Sequence, residues 1–126
     1  MKKSTNINRE PTQCHLWKDA NITMGEVINS LECIKTYVKD SHFSRKLMKC
    51  TDCGQLYVKE FYETVDWEDG EDPQYHTFVP VINEKDAEEV NKANINEIHA
   101  FSPRLNIDWP KGKEQTMYWV DKPDTL

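Results

Sequence analysis

The sequence predicts an α+β fold, a single domain in which two or three helices accompany an antiparallel sheet. Residues 55–67 and 74–82 are rich in aromatic and β-branched residues, and the turn-forming stretch EDGEDP joins them. Helical spacing of apolar residues and helix-capping residues occur elsewhere in the chain. The length of 126 residues fits one domain, which we place at 1–126.

The N-terminal part predicts an arm and a helix. Residues 1–12 are polar and are expected to form a flexible arm. A helix is predicted over 23–39, because Thr23 and Glu26 have the spacing of a capping box. Val27, Leu31, Ile34 and Val38 have helical spacing and form an apolar stripe on this helix. Cys33 lies away from this stripe.

Three strands are predicted in the middle of the chain. Residues 45–50 form a short strand that leads into a cysteine motif, and residues 55–67 form a long one. The imperfect alternation of the long strand predicts a bulge or a partly covered second face. Residues 74–82 return antiparallel, and Pro80 indicates an edge position or a bulge there.

The C-terminal part predicts one more helix and a final strand. Asn83 is expected to cap a helix over 84–93, whose acidic first turn suits the helix dipole. Residues 94–101 fit either a short helix or a strand, and residues 102–113 are expected to be irregular or extended. The final strand is predicted at 115–120.

Cys50 and Cys53 form a C-x-x-C-G motif with Gly54, the pattern of a zinc knuckle. This spacing lets two thiolates reach one ion from a tight turn, and glycine lets the backbone reverse closely. We therefore expect a zinc-knuckle-like hairpin. Tetrahedral zinc needs two further ligands, since the second C-x-x-C of a zinc ribbon is absent from this sequence.

Cys14 is the first choice for the third ligand, because a thiolate competes better than a lone imidazole for a soft metal. Cys33, or alternatively His42, is expected to be the fourth ligand. The residues considered are Cys14, His15, Cys33, His42 and His76. Two alternatives remain: a knuckle without metal, and a redox pair. A redox pair is disfavoured because it prefers a helix N-terminus, whereas a strand follows here.

Residues 60–72 contain seven acidic residues and no basic one. A calcium loop that starts at Asp66 fails, because glycine falls one place early and Thr77 occupies the position of the last ligand. Interleaved aromatic residues are typical of a protein-binding surface. The alternative is a solvated hairpin with its aromatic residues in the core. The predicted partner-binding residues are Asp66, Trp67, Glu68, Asp69, Glu71 and Asp72.

The net charge of −6 is unevenly distributed along the chain. Residues 1–49 carry a charge of +4 and residues 50–126 carry −10. The acidic part repels a phosphate backbone and attracts a basic protein, so we expect a basic protein partner and no nucleic acid. No apolar run is long enough to cross a membrane, and the N-terminus lacks the apolar segment of a signal peptide, which predicts a cytoplasmic protein.

Catalytic patterns are weak. The four histidines are dispersed, and the four glycines form no phosphate-binding loop. A non-enzymatic binding protein is therefore the first expectation. A zinc-stabilised housekeeping or regulatory protein is the alternative. A small zinc hydrolase ranks third, because it needs an open coordination position.

The stretch CTDCGQLYVKEFYETVDWEDGEDPQYHTFVPV, with CHLWK before it and SPRLNIDWP and YWV after it, resembles a group of small, poorly characterised bacterial proteins. The resemblance implies that Cys50, Cys53 and Cys14 are metal ligands. In size, acidity and lack of catalytic residues the chain is also similar to immunity proteins of bacterial toxin systems. This similarity implies that the chain binds and blocks a cognate toxin, such as a basic nuclease.

Overall fold

The computed structural model describes residues 10–19 and 21–120. Six strands form one sheet there, in which neighbours are antiparallel and the strand order is the chain order. The strands are β1 Leu31–Lys39, β2 Phe43–Cys50, β3 Leu56–Glu63, β4 Gln74–Val81, β5 Arg104–Trp109 and β6 Thr116–Val120. The α-helices are α1 His15–Lys18, α2 Met24–Ser30 and α3 Glu84–Asn91, and a 3₁₀ helix covers Ile98–Ala100. The predicted α+β class with an antiparallel sheet is confirmed.

The predicted flexible arm, residues 1–12, lies mostly outside the described residues, which begin at Glu10. Its last part is packed. Pro11 is buried, and its carbonyl accepts a hydrogen bond from the backbone N–H of Cys14 at 2.9 Å.

Both faces of the sheet are covered. Successive residues of a strand point to opposite faces, and the neighbours Tyr57 and Val58 in β3 are both fully buried. They belong to two different apolar clusters, one on each side of the sheet. Two covered faces explain why the hydrophobic alternation of this strand is imperfect.

The N-terminal segment covers the first face. Helices α1 and α2 pack there, and the Trp119 indole N–H of β6 donates to the Leu16 carbonyl at 2.9 Å. Trp17 meets the Trp119 ring edge-on at 4.8 Å between centroids. The buried residues of this cluster are Cys14, Leu16, Val27, Leu31, Cys50, Tyr57, Phe78, Leu105 and Ile107.

Helix α3 covers the second face. Asn83 caps it as predicted, accepting a hydrogen bond from the N–H of Asp86 at 2.9 Å. The Arg45 guanidinium in β2 donates to the carbonyl of Asn91, at the helix end, at 2.9 Å and ion-pairs with Glu60. The buried residues of this cluster are Leu47, Val58, Val79, Val81, Ala87, Val90, Ala93, Ile98 and Phe101.

The helix predicted over 23–39 is wrong beyond Ser30. The capping box of Thr23 and Glu26 is present, but the chain becomes strand β1 from Leu31 onward. Residues 34–38 are rich in β-branched and aromatic side chains, which favour a strand that can pair with β2. Ile34 and Val38, placed on the helical stripe by the prediction, are exposed on this edge strand.

The remaining strands agree with the prediction in position and differ in extent. Strand β3 ends at Glu63, so Trp67 lies in the following loop instead of in the strand. The residue pairs between β4 and β5 end at Phe78, whereas Pro80 still pairs with Tyr57 of β3. Pro80 therefore lies at the end of β4 that extends past β5, a position typical of an edge proline. Residues 102–113, expected to be irregular or extended, contain the regular strand β5.

Candidate metal centre

Cys14, Cys50 and Cys53 converge at one end of the sheet. Their three sulfur atoms all lie within 4.8 Å of one another. Cys14 is the residue before α1, Cys50 is the last residue of β2, and Cys53 lies in the turn to β3. Cys14 and Cys50 are fully buried, whereas Cys53 is exposed. Three thiols from two separate chain segments thus form a group that fits one metal ion.

The turn that carries Cys50 and Cys53 is compact. The N–H of Gly54 donates to the Cys50 carbonyl at 2.9 Å, and the N–H of Cys50 donates to the Gln55 carbonyl at 2.8 Å. Gly54 has a φ of 81°, a left-handed conformation in which a side chain is strained. The glycine therefore allows the chain to reverse within reach of both sulfur atoms.

His15 faces the same cluster from the first residue of α1. Its Nδ1 lies 3.9 Å from the Cys50 sulfur and 3.6 Å from a carboxylate oxygen of Asp52. Its Nε2 lies 2.9 Å from the Ser30 hydroxyl. A partner on Nε2 fixes the ring with Nδ1 directed towards Cys50, and a hydrogen-bond partner on one ring nitrogen is usual around metal-ligating histidines.

Burial dominates the electrostatics of the cluster. It raises the pKa of Cys14 to about 12, an effect that the neighbouring Tyr57 hydroxyl opposes and Cys50 reinforces. Burial also raises the pKa of Tyr57 well above its usual value, with the Cys14 thiol beside it adding to the shift. Without a cation, a buried thiolate here is therefore strongly disfavoured.

The Tyr57 hydroxyl supports a metal-bound state of Cys14. The hydroxyl is buried and makes no hydrogen bond of good geometry. A thiolate held by a cation is a better acceptor than a neutral thiol, so metal binding would give this hydroxyl a partner. The donor set and its surroundings therefore fit a metal ion.

The two residues predicted as the fourth ligand lie elsewhere. Cys33 is exposed in β1, and its thiol contacts the Lys35 carbonyl at 3.6 Å. His42 precedes β2, and its Nδ1 lies 3.0 Å from a carboxylate oxygen of Glu63. Among the described residues, the group of ligand atoms that lie within 4.8 Å of one another contains neither Cys33 nor His42, and it does not contain His15 either. The C-x-x-C spacing can be read from the sequence. The position of His15 beside Cys50 cannot, because it depends on where α1 packs.

The acidic residues 66–72 form a loop with a fixed backbone. Asp66 accepts hydrogen bonds from the N–H groups of Glu68 at 3.2 Å and Glu71 at 3.3 Å. Asp72 in turn accepts from the N–H of Asp66 at 2.7 Å. The Lys111 ammonium contacts Asp66 at 3.0 Å and lowers its pKa, helped by these backbone donors. Asp66 and Asp72 therefore shape the loop.

The rest of the predicted partner-binding surface faces solvent. Trp67 is 90% exposed, and Glu68, Asp69 and Glu71 are exposed beside it. Lys111, on the connection between β5 and β6, also contacts Asp69 at 2.9 Å, a neutralising contact that the local sequence does not reveal. A groove of about 500 Å³, lined by residues 70–72 and 109–114 among others, separates the loop from that connection.

No protein-family model matches this chain, and no curated protein and no solved structure matches it either. The resemblances drawn from the sequence therefore stay predictions. None of the helices in residues 10–19 and 21–120 has the length and the apolar character needed to cross a bilayer.

Proposed function

We propose that this chain is a non-enzymatic protein-binding protein of the cytoplasm that docks a basic partner through the loop at 66–72. The exposed indole of Trp67 is the observation that carries the proposal. A fully exposed tryptophan contributes nothing to the core, whereas in an interface it is one of the most effective anchors. Trp67 lies in a loop whose backbone N–H groups are hydrogen-bonded to Asp66. The loop backbone therefore loses little conformational entropy on binding.

The partner class that we propose is a basic toxin domain, which this chain neutralises as an immunity protein. The acidic charge of residues 50–126 supports a basic partner, since complementary charge accelerates association. The alternative is a zinc-stabilised housekeeping or regulatory protein with another partner.

The proposed zinc ion is bound by Cys14, Cys50 and Cys53, with His15 as the fourth ligand. Three thiolates and one imidazole form a common closed structural site. A closed site leaves no position for a reacting water, which disfavours the zinc hydrolase. Zinc would supply folding energy here by tying the N-terminal segment to the β2–β3 turn.

The binding proposal is tested with a basic protein recovered from the native host, or with the product of a neighbouring toxin gene. Trp67→Ala is expected to shorten the lifetime of the complex, while Ile34→Ala, at an exposed apolar position on the edge strand β1, serves as the control. Glu68→Gln with Glu71→Gln should slow association and flatten its salt dependence. A partner that binds at unchanged rates to all these variants uses another surface.

The ligand assignment is tested by zinc competition against a chromophoric chelator. His15→Ala should weaken zinc binding by at least about tenfold, since even outer partners of metal ligands cost that much. His42→Ala and Cys33→Ser are the matched controls. If His42→Ala or Cys33→Ser weakens binding and His15→Ala does not, the fourth ligand is the one predicted from the sequence.

A further inference from the structure

A row of polar side chains crosses the second face of the sheet. The strand register aligns one residue from each of five strands: Arg45 with Glu60, Glu60 with Thr77, Thr77 with Asn106, and Asn106 with Tyr118. We call these five residues the polar row. It lies immediately beyond the apolar row of Leu47, Val58 and Val79, which packs in the core beneath α3.

Most of the polar row is buried. The exposed fractions of Arg45, Glu60, Thr77 and Asn106 are 3%, 4%, 5% and 6%. Buried polar groups reduce stability unless hydrogen bonds compensate for the lost water. At the Arg45 end the two terminal nitrogens of the guanidinium meet this condition through the ion pair with Glu60 and the carbonyls at the end of α3, while Nε is buried without a hydrogen-bond partner. That end of the row has a structural role.

The other end of the row is incompletely paired. One end of the Asn106 amide contacts the Tyr118 hydroxyl at 3.4 Å, and that hydroxyl donates to Asp108. The other end of the amide, assigned as its oxygen, is buried without a hydrogen-bond partner. A buried polar group of this kind calls for an explanation, and a bound ligand is one.

This end of the row lines a groove of about 610 Å³. Its floor contains Glu60, Thr77 and Asn106, and its side walls include the segment that carries Asn96 and His99. The neighbouring row contributes Asp108 and two tyrosines, Tyr62 and Tyr75, whose rings stack at 6.3 Å between centroids. The groove thus combines aromatic faces with several hydrogen-bonding groups, as small-molecule sites do.

The charges around the groove are balanced. Arg45, the neighbour of Glu60 on β2, offsets the charge of Glu60, and the lining contains one arginine and one further carboxylate, Arg104 and Asp108. Burial, followed by the charge of Arg104, lowers the pKa of His99, so this ring is neutral near pH 7. A balanced lining disfavours phosphorylated and other strongly charged ligands.

We propose that this groove binds a neutral, hydroxyl-rich small molecule of the mono- or disaccharide class. Sugar hydroxyls both donate and accept, which matches the mixture of carboxylate, amide and phenol groups on the lining. The tyrosine rings offer apolar faces to the C–H side of a sugar ring. The groove shares no lining residue with the cysteine cluster or with the loop at 66–72, and it does not depend on the function proposed for either.

The test is an NMR titration of the full-length, zinc-supplemented protein, observed through its ¹H–¹⁵N correlations. The probes are glucose, galactose, N-acetylglucosamine and maltose, with adenosine as a comparison ligand. Saturable shifts confined to residues of β3–β6 and the segment 94–100 are expected with at least one sugar. The absence of saturable shifts with all four sugars overturns the proposal, and so does binding of adenosine alone.

Conservative variants locate the site. Tyr118→Phe and Asp108→Asn remove a hydroxyl or a charge without changing side-chain volume, and each should weaken sugar binding by about threefold to tenfold. Tyr37→Phe is the matched control, since Tyr37 packs against the cluster on the same face but does not line the groove. Unchanged affinity in both groove variants overturns the proposed location.

Discussion

Single residues show where this protein tolerates charge in its interior. The Arg45–Glu60 pair is almost completely buried, and burial raises the pKa of Glu60 even though Arg45 opposes the shift. The arginine also donates to two carbonyls at the end of α3. One side chain therefore neutralises a buried carboxylate and pairs with carbonyls at a helix end, so Arg45 links the end of α3 to the sheet.

Removal of Glu60 tests this role. Glu60→Ala should lower the free energy of unfolding by roughly 3–5 kcal/mol, because it leaves a buried guanidinium without its counter-charge. Chemical denaturation measures the loss. Glu32→Ala, an exposed glutamate in β1, is the control and should change stability by less than about 0.5 kcal/mol. Similar losses in both variants would mean that the buried Arg45–Glu60 pair contributes no more to stability than an exposed glutamate does.

His76 predicts a pH dependence of stability. Burial, followed by the charge of Lys59, lowers its pKa to about 4 in the folded state, against about 6.5 in an unfolded chain. Between these values the unfolded state binds more protons, so stability must fall as the pH decreases from about 6.5 towards 4. Above about pH 6.5 the histidine is neutral in both states and has no such effect.

Unfolding measured across this range, for the wild type and for His76→Gln, isolates the contribution. The wild type should lose stability relative to the variant as the pH falls, because only the wild type must keep an imidazole neutral. His42→Gln, an exposed histidine variant, controls for general effects of the substitution. A constant difference between wild type and His76→Gln at all pH values would contradict the assigned pKa.

At the scale of elements, helix α2 shows which features of a helix short sequence patterns can predict. The capping box of Thr23 and Glu26 depends on neighbouring residues and was predicted correctly. The end of the helix at Ser30 depends on the pairing of β1 with β2, a long-range contact that the apolar spacing of residues 27–38 does not reveal. Residues at 27, 31, 34 and 38 satisfied a helical period, although only the first two enter the core.

Two substitutions, at positions predicted from the sequence to lie on one apolar helical stripe, distinguish a continuous helix over 23–39 from the observed helix and strand. Leu31 is 8% exposed and Ile34 is 45% exposed. Leu31→Ala should therefore cost roughly 2–5 kcal/mol, whereas Ile34→Ala should cost far less, since its side chain fills no cavity. Thermal or urea unfolding measures both. Equal large losses would restore the continuous helix over 23–39. A negligible loss at Leu31 would mean that this position is not part of the core.

At the scale of the whole molecule, the sequence predicted what short stretches determine. The order of β2, β3 and β4, the capped helix α3 and the C-x-x-C turn all follow from local composition. The polar row could not be predicted, because its five members come from five strands and meet only through the register. The sequence alone does not distinguish His15 from the other three histidines, because its position beside Cys50 depends on the packing of α1.

The whole fold also explains why a metal ion would matter. The N-terminal segment packs across the first face, and the sulfur of Cys14 reaches the turn after β2. A bond network between these two regions would connect the beginning of the chain to its central hairpin. If the cluster holds an ion, removing it should therefore destabilise the covered first face as well as the local turn.

The most direct test of this account is the zinc content of protein purified without chelator, measured by elemental analysis. About one zinc ion per chain is expected in the wild type and in the control Cys33→Ser, and much less in Cys50→Ser, which should also unfold at a clearly lower temperature. Less than about 0.2 zinc ions per wild-type chain, a level too low for a structural site, would contradict the proposed metal centre.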